Sequence, residues 1–314
     1  MKAVILESLG INAEQLKRLE APLKAKGIDF VCYARTNEQE RLKAEIADAD
    51  IAILANMPLN NEAVEAGKHL KFIDVAFTGV DHIGLAAAER KKIAVSNASG
   101  YANEAVAELA VGAVLSEYRA LRKMEDACRS GMTKGMCTGQ EIKGKTVGII
   151  GLGKIGRRSA ELFSAFGAHI IACRKHPAEK NDEIRILPLD EVLKQSDIVL
   201  LHCPLNEETR GMINAQKLAQ MKPNAILVNM ARGPIVNTED LIDALQKKQI
   251  AGAVLDVFDQ EPPLAPADPL LALDNVLVTP HIGFATAEAM DIRAEIVFDN
   301  LQSWLDGCQK NKIL

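Results

Sequence analysis

The chain has 314 residues, 48% hydrophobic and 25% charged, with a net charge of −5 at pH 7. That composition can fill two hydrophobic cores, and the acidic balance without a long basic block excludes nucleic acid as the main partner. No apolar run approaches the ~18 residues of a membrane span, and the opening Met1-Lys2-Ala3-Val4-Ile5-Leu6-Glu7 is charged too soon for a secretory signal, so a cytoplasmic protein without membrane contact is expected.

In chain order, apolar runs predict strands at residues 2–6, 30–33, 51–54, 72–77 and 94–96, with helical spacing at 13–26 and 39–47. Asn103 then reads as the N-cap of an Ala-rich helix running to about Arg122, whose Ala107, Ala110, Gly112 and Ala113 permit close approach of a neighbour. Six further strands follow, at 147–150, 170–173, 198–202, 225–230, 251–257 and 276–279, with a helical stretch at 240–248. Strands alternating with helices imply right-handed crossovers and a parallel sheet covered on both faces. A last helix at about 286–304 returns to the first part of the chain. The expected division is residues 1–100 plus about 285–314 as one α/β domain and 101–284 as a doubly wound domain, with a cleft between them. The cysteines Cys32, Cys128, Cys137, Cys173, Cys203 and Cys308 have no metal spacing and read as reduced thiols, and no metal is expected.

The run Val147-Gly148-Ile149-Ile150 ends in Gly151-Leu152-Gly153-Lys154-Ile155-Gly156 and passes directly into a helical pattern. Each glycine of G-x-G-x-x-G has a physical task in binding a dinucleotide. Gly151 makes the tight turn, Gly153 lets backbone approach a pyrophosphate, and Gly156 lets the helix lie close on the strand. The helix N-terminus offers free N–H groups to phosphate.

Polar residues collect where the later strands end: Arg232 after the fourth, Asp256 and Glu261 after the fifth, His281 after the sixth. Taken singly, Arg232 reads equally as a surface ion pair, Glu261 as a solvated loop acid and His281 as a polar cap. Together at the carboxyl edge of a nucleotide fold they supply a planar fork for a carboxylate, a proton-exchanging imidazole and a carboxylate to hold that imidazole's tautomer. These are the tools for reducing a 2-keto acid.

Over essentially its whole length the chain resembles the D-isomer-specific 2-hydroxyacid dehydrogenase family. The resemblance rests on the glycine turn, on Leu201-His202-Cys203-Pro204-Leu205-Asn206 with Thr209, on Ala231-Arg232-Gly233, on Asp256-Val257-Phe258 with Glu261-Pro262, and on Pro280-His281-Ile282-Gly283. It implies a doubly wound parallel (Rossmann) nucleotide domain beside a flavodoxin-like α/β substrate domain. It further implies that Arg232 holds the substrate carboxylate, that His281 donates the proton and that Glu261 pairs with it. Cofactor contacts are implied for Gly151, Gly153, Lys154, Ile155, Gly156, Cys203, Pro204, Thr209, Met230, Ala231 and Gly283, and Asp256 is implied to bind the nicotinamide carboxamide. The segment Phe77-Thr78-Gly79-Val80-Asp81-His82 resembles the family's substrate loop, so backbone N–H groups of Thr78, Gly79 and Val80 are expected to meet the carboxylate, with Asp81 and His82 as structural or rim residues rather than catalysts.

Within the family, length and the Asn97-Ala98-Ser99-Gly100-Tyr101 segment are nearest to glyoxylate/hydroxypyruvate reductases, with pocket shape expected to depend on Met57, Phe77, Tyr101 and Phe284. The alternatives are a D-lactate dehydrogenase-like enzyme and a dinucleotide-sensing corepressor of the same fold. Glu261 speaks against a formate dehydrogenase, for which the resemblance implies Gln. Where an NAD enzyme carries Asp or Glu after the second strand, this chain has Arg174, followed by Lys175 and His176, so NADP(H) is favoured over NAD(H). A homodimer through the small-residue helix and its neighbours is expected.

Overall fold

The structure is a computed structural model and describes residues 1–175, 184–261 and 263–314. Its first elements are β1 (Lys2–Ile5), α1 (Ala13–Ala25), β2 (Asp29–Cys32), α2 (Gln39–Ile46), β3 (Ile51–Leu54), α3 (Asn61–Ala66), β4 (Phe72–Val75), α4 (Leu85–Arg90) and β5 (Ala94–Asn97). There follow α5 (Asn103–Tyr118), α6 (Leu121–Arg129), β6 (Thr146–Ile150), α7 (Lys154–Ala165), β7 (His169–Cys173), β8 (Arg185–Ile186), α8 (Leu189–Gln195) and β9 (Ile198–Leu201). The chain ends with α9 (Ala215–Leu218), β10 (Ile226–Asn229), α10 (Thr238–Gln246), β11 (Gly252–Leu255), β12 (Val276–Val278) and α11 (Ala287–Leu305). It forms two compact units, Met1–Ala102 with Phe284–Leu314, and Asn103–Gly283.

In the first unit all strand pairs are parallel and the order is β2-β1-β3-β4-β5, the flavodoxin-like arrangement in which the strand order reverses between β1 and β3. The expected strands are present, and β3 and β4 are buried along their whole length, as central strands of a sheet covered on both faces must be. Asn12 and Gln15 start α1 with reciprocal side chain to backbone hydrogen bonds. Thr286 caps α11, whose Val297, Phe298 and Leu301 are buried in this unit. Trp304 stacks on Phe72, ring centroids 4.8 Å apart.

One buried polar chain ties this helix to the sheet. Asn300 Nδ2 donates to Asp74 Oδ1 at 3.0 Å and to the Asn97 carbonyl at 2.9 Å, and Asn311 Nδ2 donates to Asn300 Oδ1. Asp74 is fully buried on β4 with Oδ2 unpartnered among the described residues. Burial pushes its carboxyl well above the usual carboxylate range, the Asn300 hydrogen bond only opposing this.

The second unit is one parallel sheet in the order β12-β11-β10-β9-β6-β7-β8. It contains the six expected strands and a seventh, the edge strand β8, whose two residues are too few to carry a periodicity. The helix expected from Asn103 to Arg122 is shorter. It ends at Tyr118, because Ala120 adopts a left-handed conformation (φ +49°) and the chain restarts as α6. Asn103 is the first helical residue rather than a cap. Its small residues Ala107, Ala110 and Ala113 are buried, α5 lying against α7 with Arg158 forking onto Glu104 through two 2.7 Å hydrogen bonds; Gly112 faces open space.

Asp74 generates a pH test. Its folded-state affinity for a proton exceeds that of an unfolded aspartate, ordinarily titrating near ~3.9, so its contribution to stability is complete below that pH and is lost as pH rises towards the folded value. Asp74→Asn keeps the shape and the acceptor for Asn300 but cannot ionise. Urea unfolding from pH 4 to pH 8 should show the variant gaining on the parent by up to about 1.4 kcal/mol per pH unit over that window. A difference that stays flat with pH would rule out a proton held at Asp74.

Candidate active site

The glycine turn after β6 has the geometry that a dinucleotide needs. Gly151 has φ +100°, and a Cβ on it would stand 2.5 Å from the Cys203 amide nitrogen. A Cβ on Gly156 would stand 2.3 Å from the Gly151 carbonyl oxygen, so only glycine lets α7 start this close to the strand. Gly153, in contrast, has no neighbour within 4 Å: the face that would meet a pyrophosphate is open, at the N-terminus of α7. The strand order reverses here, β6 lying between β7 and β9, which is where an open α/β sheet binds its ligand. The residues present therefore fit a dinucleotide.

The His202 imidazole, half-buried after β9, meets Ser159 Oγ of α7 at 3.0 Å, and desolvation pushes it down to about 4, so it is a neutral strut. Ser159 was invisible in the sequence because a serine inside an amphipathic helix carries no positional signal. Burial likewise pushes the Cys203 thiol up to about 11, which makes it an uncharged contact rather than a nucleophile. Thr209 Oγ1 donates to the Pro204 carbonyl at 2.7 Å and accepts from the Asn206 N–H, shaping the loop that carries Cys203 and Pro204.

Strands β10, β11 and β12 are adjacent and parallel, so Arg232, Asp256 to Glu261, and His281 leave the same edge of the sheet. At ~4.8 Å per strand the chains bearing Arg232 and His281 emerge about 10 Å apart, a span that two long side chains can close on one small substrate. His281 Nδ1 lies 2.8 Å from Glu261 Oε2, so the carboxylate engages one of the two ring nitrogens and fixes the ring. The histidine side chain is 14% exposed and the glutamate 47%.

Asp256 is 1% exposed and holds the turn that presents His281. Its Oδ1 accepts from Thr279 Oγ1 at 2.6 Å and from the Ile282 N–H at 2.8 Å, and its Oδ2 accepts from the Gly283 N–H at 2.7 Å. Burial raises its carboxyl, and these three donors oppose the shift. A Cβ on Gly283 would approach Oδ2 to 2.9 Å, which accounts for glycine there. The resemblance gave Asp256 to the cofactor; its visible work is to fix this turn.

Arg232 is held similarly. Asn229, 1% exposed, donates from Nδ2 to the Arg232 carbonyl at 2.9 Å and accepts from the Ala231 N–H at 3.1 Å, while Arg232 Nη1 donates to the Ala231 carbonyl at 2.7 Å. Gly233 has no room for a side chain, since a Cβ would fall 2.0 Å from the Phe258 carbonyl carbon. Asn229 stood inside the strand run in the sequence, and nothing there marked it as the clamp of this turn. Met230 is buried and Ala231 half-buried beside it.

Arg174 follows β7 directly and is half-buried, whereas Lys175 is exposed and paired with Glu208 at 2.6 Å, so the expected basic cluster is partly neutralised. His176 and Pro262, also named from the sequence, lie outside the described residues. Lys154 is exposed and Ile155 half-buried at the start of α7.

In the first unit Thr78, Gly79 and Val80 follow β4. Among the described residues their N–H groups have no intramolecular acceptor, and Asn97 Nδ2 fixes the loop by donating to the Thr78 carbonyl at 2.7 Å. His82 Nε2 meets the Ala55 carbonyl at 2.8 Å, a structural contact.

Residues 111–283 match the model of the family described as D-isomer specific 2-hydroxyacid dehydrogenase, NAD binding domain. A glyoxylate reductase of Thermofilum pendens is 39% identical over 282 residues, covering 86% of this chain and 82% of that protein. A hydroxypyruvate reductase of Blautia hydrogenotrophica is 33% identical over 324 aligned positions, covering 100% and 99%. Among solved structures, an acyclic imino acid reductase in complex with NADPH and D-Arg superposes with a TM-score of 0.91 at 28% identity, covering 100% of both chains.

Proposed function

The chain belongs to the D-isomer-specific 2-hydroxyacid dehydrogenase family, and from that footing we propose that it reduces a short 2-keto acid of the glyoxylate or hydroxypyruvate type to the D-2-hydroxy acid. The observation that carries this reading is the His281 Nδ1 to Glu261 pair, set on the same sheet edge as Arg232 beside a glycine turn fitted to a dinucleotide.

When bound, the nicotinamide dinucleotide supplies the hydride. The Arg232 guanidinium holds the substrate carboxylate as a planar fork and polarises the adjacent carbonyl. Thr78, Gly79 and Val80 are proposed as further carboxylate-binding residues through their N–H groups. His281 gives the proton on Nε2 to the carbonyl oxygen, and Glu261, accepting from Nδ1–H, fixes the ring and stabilises the charge that the imidazole carries before the transfer. In the reverse direction the same nitrogen takes the proton from the hydroxyl.

His281→Gln should therefore lower turnover by ~10²–10⁴ while cofactor binding, followed by fluorescence titration, changes little. Near-normal turnover with glyoxylate or hydroxypyruvate in that variant would remove His281 from the role.

The cofactor is proposed to be NADP(H). Support comes from Arg174 at the position where a carboxylate would otherwise take the ribose hydroxyls, and from the NADPH held by the imino acid reductase. Arg174→Asp should shift the ratio of kcat/KM values towards NADH by roughly 10–100-fold, the effect of about 1–3 kcal/mol at one charged hydrogen-bonding site. A parent protein that already prefers NADH would contradict the assignment.

A cytoplasmic homodimer is proposed as the working form. The small-residue face of α5 is used within the chain, so the second copy is assigned to α6, which has no buried residue, and to the apolar side chains beside it: Leu121, Met132 and Met136 are 53%, 63% and 97% exposed. No helix among the described residues is long and apolar enough to cross a membrane. Sedimentation velocity at micromolar concentration should give about twice the 34.0 kDa chain mass, and a 34.0 kDa species would exclude the dimer.

A further inference from the structure

One ion pair of the second unit joins the two chain segments that flank the glycine turn. Lys175 stands next to Arg174 in the chain leaving β7, and Glu208 lies in the loop leaving β9. Lys175 Nζ donates to both carboxylate oxygens of Glu208, at 2.7 Å to Oε1 and 2.6 Å to Oε2. Strand β6 runs between β7 and β9 and pairs with each, so the ion pair reaches across the carboxyl end of the strand that leads into Gly151. That end of the sheet, at the reversal of strand order, is the crevice in which a doubly wound fold receives a dinucleotide, and the residue after β7 is the one that reads the adenosine ribose.

The carboxylate is delivered there by a closed turn. Asn206 Oδ1 accepts from the Glu208 N–H at 2.9 Å and from the Thr209 N–H at 3.1 Å, and the Asn206 carbonyl accepts from the Arg210 N–H at 3.0 Å. The backbone of Glu208 is thus secured on both sides. The pair itself does little for the fold: the Lys175 and Glu208 side chains are 67% and 65% exposed, and water and salt screen an ion pair placed so. Each partner is therefore open to exchange for a stronger one. For the ammonium that partner is a phosphate monoester, which carries nearly two negative charges and three acceptor oxygens. For Glu208 a phosphate is a charge of the same sign.

We infer that Glu208 sets the cofactor preference, by competing with the 2′-phosphate of NADP(H) for Lys175 and repelling it, so that the preference for NADP(H) over NAD(H) stays below what Arg174 and Lys175 would give unopposed. The inference rests on the NADP(H) reading above. Two acceptors that share one ammonium, each about 2.8 Å from the nitrogen, stand about 4.5 Å apart at the tetrahedral angle. That separation is well inside the Debye length of ~8 Å at physiological salt, so the two negative charges oppose each other almost unscreened by ions. A 2′-hydroxyl carries no charge, and NAD(H) meets no such opposition.

Glu208→Gln keeps the size of the side chain and the turn beneath it and removes the charge. Fluorescence titration of the full chain with NADPH and with NADH gives both dissociation constants without turnover. The substitution should tighten NADPH by roughly 3–30-fold, the effect of one partly screened unit charge a few ångströms from a phosphate, and leave NADH within about 2-fold. Turnover with glyoxylate should show the same change in the KM for NADPH, with kcat and the KM for the keto acid unaltered. In a Lys175→Met background the substitution should have a markedly smaller effect, since no ammonium then draws the phosphate to the carboxylate. If the pair is only a surface ion pair, NADPH binding is unchanged in Glu208→Gln, which overturns the inference; equal tightening of NADPH and NADH overturns it as well. An unaltered protein that prefers NADH overturns the Arg174 assignment alone, provided that Glu208→Gln still tightens NADPH selectively.

Discussion

The chemistry of the second unit depends on one buried carboxylate holding a strained backbone. His281 adopts φ +55°, a left-handed conformation that costs a non-glycine residue of order 1–3 kcal/mol and persists only where neighbours over-determine it. Asp256 does so. It collects the Thr279 hydroxyl and the Ile282 and Gly283 N–H groups, on both sides of the histidine, and so fixes the turn before the side chain makes any contact of its own. Without those three hydrogen bonds the histidine could relax to an ordinary backbone conformation and Nδ1 would no longer be presented to Glu261. The acid that looks like a cofactor ligand in the sequence is thereby the part on which the proposed proton transfer from His281 depends.

Such turns can be combined because the sheet is parallel and its strands are neighbours. Arg232, Asp256 and His281 leave β10, β11 and β12 at one edge, and each is secured by a different local device: the Asn229 clamp, the Asp256 acceptor set, and the Glu261 contact to the ring. The devices are graded by exposure. Asn229 and Asp256 are sealed, whereas Glu261 is 47% exposed. Residues that set backbone geometry are hidden from water, which would compete for their hydrogen bonds, whereas the carboxylate that meets the His281 ring stays in contact with it.

Much of this was legible in the sequence. Alternating apolar runs gave the strands of both sheets, and the glycine spacing gave the turn, because Gly151 and Gly156 answer steric demands that no other residue meets and Gly153 leaves its face open. The family motif gave Arg232, Glu261 and His281 at one edge. What was not legible has physical reasons. A two-residue strand such as β8 has no period. The break after Tyr118 is set by the left-handed Ala120, to which alanine spacing is blind. The partnerships of Asn229 with Arg232 and of Ser159 with His202 join residues whose types are common in strands and helices, so only geometry identifies them.

In the first unit buried ionisable groups meet the loss of water in different ways. Glu7, Asp74 and Arg293 are among the ionisable side chains almost fully enclosed there, and composition does not distinguish them. Glu7 is answered completely, by two backbone N–H groups and an arginine, so its energy is spent on closing the β1 and β3 ends together. Asp74 is answered by Asn300 on one oxygen, and burial raises its affinity for a proton, a response open to a carboxyl group. Arginine has no such escape, since its neutral form is out of reach in water-like pH ranges. The Arg293 guanidinium is therefore met by other means, lying 5.8 Å from the ring centroids of both Tyr101 and Phe284, whose electron-rich faces attract a cation.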